Sequence, residues 1–188
     1  MEGPKADEHD TKDILGGEWP SIQSLYKELE KDSLDNAVDT LWNNILQLYF
    51  RVECNYAIVA QATPKTKSKK KADFAVRCVR NGVSKKVILI ENKRVSDEGS
   101  DAVWYDAMEQ LTECMGQARA ANRASKKDMY GIVTVGHYSR YYTLAPNMNT
   151  LSNFSSGHVD YNGEALHFKN DEYWMHTLLG ELVELTCQ

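Results

Sequence analysis

The sequence predicts an α/β protein in which helices flank a mixed β-sheet, and three observations carry that expectation. Asn81-Gly82 lies between two strand-like runs and is the strongest short signal of a β-hairpin. A helical apolar pattern over residues 101–123 is followed by a β-branched run at 129–135. A helix between two strands lets the second lie parallel to the first. The predicted order is helix, three strands, long helix, two strands, helix: an αβββαβ core with further elements at its end.

Residues 1–20 read as a flexible acidic leader with Gly16-Gly17 and Pro20 as breakers, and residues 21–188 as one domain, long enough for a sizeable core. Residues 21–31 predict a short helix. Asp32-Ser33 can cap a longer one, in which Leu34, Val38, Leu41, Ile45 and Leu48 recur at steps of four and three. Asp35 and Asp39 fall off that stripe and Trp42 at its edge. Residues 56–60 predict a strand, closed by Thr63-Pro64 and a lysine-rich loop. The hairpin covers 73–93, and 96–100 is a polar loop. In the long helix Tyr105, Met108, Leu111, Met115 and Ala118 form the stripe, with Gln110 and Gln117 at one border. Residues 129–135 and 139–144 predict strands on either side of Gly136-His137. The segment 145–163 is polar and reads as loop. Asp171 can open a last helix that buries Met175, Leu178, Leu182 and Leu185.

Charge is segregated along the chain. The net charge of −5 hides a basic block: residues 51–94 hold 12 Lys and Arg against 3 Asp and Glu, while the stretches on either side are each acidic by 7. A local positive field around carboxylates suits a polyanionic partner. Lys65, Lys67, Lys69, Lys70 and Lys71 cluster in one loop of that block, and residues 66–71 resemble a nuclear-import signal in composition. Cys54, Cys78, Cys114 and Cys187 show no CxxC spacing, which points to free thiols in a reducing compartment. His137, His158, His167 and His176 lack metal-ligand spacing. No apolar run approaches the ~20 residues that span a bilayer. The expected location is intracellular, in cytoplasm or nucleus, with no membrane partner. There is no glycine-rich phosphate loop and no GxSxG.

The chemistry concentrates in the hairpin. Its second strand, Val87-Ile88-Leu89-Ile90, runs into Glu91-Asn92-Lys93, and Asp73 opens the first. Folding the hairpin brings both acids to one end of the sheet. Two acidic oxygens with an ammonium alongside can hold a hard divalent cation. Register imposes a condition, because side chains alternate along a strand. A plain two-residue turn at Asn81-Gly82 sets Asp73 opposite Ile90 and puts the acids on opposite faces. A shared site therefore requires an odd-numbered loop or a bulge.

With Asp73 and Glu91-Asn92-Lys93 on an αβββαβ order, residues 33–145 resemble the PD-(D/E)xK nuclease superfamily. Ala72 stands where many members have proline. The resemblance implies a restriction-endonuclease-like fold and a Mg²⁺- or Mn²⁺-dependent endonuclease acting on nucleic acid, DNA favoured over RNA. It implies Asp73, Glu91 and Lys93 as catalytic residues, with Asp73, Glu91 and the Asn92 carbonyl as metal ligands. Gln110 or Gln117 resembles a helix glutamine that some members place beside the metal, without the tyrosine that usually follows it. Asp39 or Glu53 could supply a further acid. Lys69, Lys70, Lys71, Lys85, Lys86 and Arg94 are candidate phosphate contacts. A homodimer, or membership of a larger protein, would suit the family. The competing expectation is a non-catalytic nucleic-acid-binding or protein-interaction module that retains the nuclease fold.

Overall fold

The structure, a computed structural model, describes residues 19–30, 33, 35–65, 68–121, 126–155 and 161–187. Most of the leader, with Gly16-Gly17, lies outside the described residues, as do Asp32, Leu34, Lys67, Arg123 and His158. Among the described residues there are four helices, α1 (Pro20–Lys27), α2 (Asp35–Tyr49), α3 (Asp101–Ala121) and α4 (Glu172–Cys187). The strands are β1 (Tyr56–Ala62), β2 (Ala72–Arg80), β3 (Val83–Lys93), β4 (Met129–Val135), β5 (Tyr138–Leu144), β6 (Ser152–Asn153) and β7 (Leu166–His167). They form one mixed sheet in the order β1-β2-β3-β4-β5-β6, with β7 also paired to β5. The β3–β4 pair is parallel and the others are antiparallel.

Helix α3 makes the crossover from β3 to β4 and covers one face. There Trp104, Leu111 and Met115 pack with Leu89 and Val133. The opposite face is covered by α1, α2 and α4, whose Ile22, Val38, Trp42, Ile45, Leu178 and Leu182 share a core with Ile88, Ile90 and Ile132. Every residue of β4 is buried, as expected of a strand covered on both faces. α3 can approach β4 closely because Gly131 has no side chain: a Cβ there would lie 2.8 Å from Leu111 Cδ2 and from Met115 Sδ. Gly131→Val should cost about 1–3 kcal/mol by overpacking this seam, read as a lower urea midpoint with an unchanged slope.

Three expectations need correction. The buried arc of α3 is Trp104, Ala107, Leu111, Cys114, Met115 and Ala118, while Tyr105 is 56% exposed and donates its hydroxyl to Glu109 at 2.7 Å. Adjacent residues on a helix differ by about 100°, so either aromatic could have led the stripe, and packing on the sheet selected Trp104. Trp42 belongs to the core of α2, only 2% exposed, because α1 and α4 pack beside α2 and widen its buried arc. Strands β6 and β7 lie within or just beyond a segment read as loop, and two residues carry no periodicity by which to find them. Asp171 precedes α4 as expected, yet its Oδ2 accepts the N–H of His167 and fixes the β7 turn.

The hairpin carries the site. Arg80 pairs with Val83 across Asn81-Gly82, and both turn residues take left-handed φ, 50° and 75°, the combination that a two-residue turn matched to strand twist requires. That turn alone would separate Asp73 from Glu91. A bulge intervenes: Arg77 pairs with Lys86 but Val76 pairs with Ile88, leaving Val87 as the extra residue. Beyond it Phe74 pairs with Ile90, and the same register one step further sets Asp73 across from Glu91.

Candidate functional site

Asp73, Glu91 and Lys93 meet where β2 begins and β3 ends. Lys93 Nζ donates to Glu91 Oε1 at 2.8 Å and to Gln110 Oε1 at 3.3 Å. Their spacing explains the first contact, since alternate residues of a strand share a face. The second comes from α3, which presents Gln110 to the same face. Asp73 Oδ2 accepts the backbone N–H of Asn92 at 2.8 Å, and Asp73 Oδ1 accepts from Gln61 Nε2 at 3.2 Å. The N–H and carbonyl of one strand residue point to the same side. The Asn92 carbonyl therefore points to the β2 side, whereas the Lys93 carbonyl turns the other way and accepts from Gly136 N at 3.1 Å.

Glu91 is the desolvated member. It is 1% exposed, and its Oε2 is buried without a hydrogen-bond partner. Burial, and next the charge of Asp73, push its carboxyl up to about 7 against the opposing pull of Lys93. Beneath it the buried Cys114 thiol is raised to about 11, first by burial and then by Glu91. An orphaned carboxylate oxygen facing a second carboxylate is what a cation would relieve. No group of three or more His, Cys, Asp or Glu side chains able to hold a metal ion occurs among the described residues. Two carboxylates and a carbonyl remain compatible with Mg²⁺, which keeps several waters and binds through one or two protein carboxylates.

The other face of β3 holds Asn92. Its side-chain Nδ2 donates to Asp39 Oδ1 on α2 at 2.7 Å, and its Oδ1 accepts from Thr134 on β4 at 2.7 Å. Asn92 is 4% exposed, and a polar side chain so buried needs such partners. Of the two further acids considered, Asp39 thus reaches the site through Asn92. Glu53 lies elsewhere, 3.8 Å from Arg51, on a cavity of about 480 Å³ that Asn43, Gln47 and Tyr56 help to line.

The two glutamines separate. Gln110 bonds Lys93, whereas Gln117 accepts from Ser68 at 2.8 Å and donates to Glu113 at 3.1 Å. Gln117 therefore pins the lysine loop to α3, a role its seven-residue spacing from Gln110 does not reveal. Lys70 is paired with Glu113 in the same seam. Lys86 is half-buried, donates to the Pro64 carbonyl at 3.0 Å, and is held below the usual lysine range by burial and then by Arg77. Both are occupied by the protein itself. Lys69, Lys71, Lys85 and Arg94 are exposed.

Two contributors escaped sequence reasoning. Thr134 was visible as the one aliphatic hydroxyl in a strand otherwise made of Met, Tyr, Gly, Ile and Val. Gln61 gave no signal, because its position depends on a left-handed backbone, φ 49°. His137, expected in an ordinary role, bonds Glu98 Oε1 through Nδ1 at 2.6 Å and stacks on His167 at 5.9 Å.

Fold and site together define a mixed α/β protein with two acids and a lysine gathered at the ends of adjacent central strands. Comparisons with models of protein families, with curated proteins and with solved structures find no match to this chain. No helix among the described residues is long and apolar enough to cross a membrane.

Proposed function

We propose that this chain is a Mg²⁺- or Mn²⁺-dependent nuclease that hydrolyses phosphodiester bonds on a restriction-endonuclease-like core, with DNA favoured over RNA. The observation that carries the reading is the meeting of Asp73, Glu91 and Lys93, reached only through the bulge at Val87, with one buried carboxylate oxygen left over. Asp73, Glu91 and the Asn92 carbonyl would hold the cation. When bound, a hard divalent cation supplies Lewis-acid polarisation of the phosphate and a water of lowered pKa. Lys93, steadied by Glu91 and Gln110, orients the attacking water or neutralises charge building on the phosphate. Exposed Lys69, Lys71, Lys85 and Arg94 grip the backbone in a salt-sensitive, sequence-independent way.

The test is cleavage of plasmid or single-stranded DNA with Mn²⁺, stopped by EDTA. Lys93→Ala and Asp73→Ala should each lower the rate by at least about 10²–10³-fold, as loss of a transition-state contact does, with an unchanged circular dichroism spectrum. Near-wild-type cleavage by either variant overturns the reading.

One observation favours the second reading, a binding module without catalysis. Glu91 is 1% exposed and already bonded to Lys93, a closed ion pair that a purely structural role would also explain. Such a module retards nucleic acid or a protein partner equally with and without metal, and cleaves nothing.

A further inference from the structure

Gln61 adopts a left-handed backbone, φ 49°, a region that side chains other than glycine, asparagine and aspartate seldom enter. It does so inside a strand. Ala60 pairs with Phe74 and Ala62 with Ala72, so Gln61 falls opposite Asp73. Its side chain is exposed, yet the amide turns back and donates to Asp73 Oδ1 at 3.2 Å. The second oxygen of Asp73 accepts from Asn92 N. A carboxylate accepts through both of its oxygens, so a donor on each oxygen fixes its plane. Liganding carboxylates are oriented by outer hydrogen bonds in this way. Backbone strain retained beside such a group is a mark of functional sites.

We propose that Gln61 is a positioning residue for Asp73. Its left-handed backbone is kept because it carries the amide onto Oδ1, presetting the carboxylate for a hard divalent cation. This rests on the nuclease reading above. Strain and positioning can be separated with Gln61→Gly, which accepts the left-handed backbone and has no side-chain amide, and Gln61→Ala, which loses the amide and keeps the strain.

Three readouts apply: melting temperature, hydrogen exchange at the Asn92 amide without metal, and Mn²⁺ affinity by calorimetry. The glycine variant should melt above the alanine variant. In both, Asn92 exchange should quicken by roughly tenfold and Mn²⁺ affinity should fall roughly 10–100-fold. Stability and affinity would then move independently, which a structural role does not produce. Unchanged Asn92 exchange in the variants overturns the positioning of Asp73, whatever the wild type binds. Faster exchange with unchanged Mn²⁺ affinity overturns its link to the cation. A wild-type protein that binds no Mn²⁺ overturns both that link and the nuclease reading.

Discussion

Exchange of Glu91 for glutamine is expected to stabilise the metal-free protein near pH 8 while removing the cation-dependent cleavage proposed above. The two effects share one cause. Burial and the neighbouring Asp73 charge raise the Glu91 carboxyl from 4.5 to about 7, so the folded protein holds a proton that the unfolded chain releases. Where the native state binds more protons, stability falls as pH rises. The loss accumulates between about 4.5 and about 7 and is complete above that window. A shift of this size corresponds to a cost on the order of 3 kcal/mol at pH 8, which glutamine, neutral at every pH, does not incur. Lys93 can still donate to the amide oxygen. Urea unfolding of both proteins at pH 4 and pH 8 decides the matter. The two should coincide at the lower pH and diverge at the higher, with the variant the more stable. A glutamine variant less stable than the wild type at pH 8 would mean that the Lys93 ion pair outweighs the burial of the charge.

Trp42→Ala should be the most damaging single core change, at about 3–5 kcal/mol, or roughly 10 °C in melting temperature for a chain of this size. Trp42 is 2% exposed in the core that α2 and α4 build on the β3 face. Removing the indole leaves a void that rigid neighbours on a sheet can close only in part. The consequence extends to the site. Asp39 lies three residues earlier on α2 and accepts from the Asn92 side chain, so a loosened α2 weakens the contact that holds Asn92 in place. The Mn²⁺-dependent cleavage proposed above should therefore fall even at temperatures where the variant remains folded. A loss under about 1 kcal/mol would show that the site collapses around the deletion better than such sites do.

The local elements and the need for a bulge were legible in the residues themselves. Asn81-Gly82 dictates its turn through backbone sterics, Val38, Leu41 and Ile45 dictate one helix face, and alternation along a strand places Glu91 and Lys93 together. The same alternation showed that Asp73 joins them only if the register slips by one. Those are short-range consequences of bond geometry and side-chain period. Tertiary packing decided the rest. It chose Val87 as the bulged residue, Trp104 over Tyr105 as the buried aromatic, and Gln110 over Gln117 as the partner of Lys93. It turned Gln61 back onto Asp73 and set Asp39 and Thr134 on Asn92. Each of those choices depends on which element lies across a gap and how closely it approaches, and residues far apart in sequence acquire that relation only once the layers have packed.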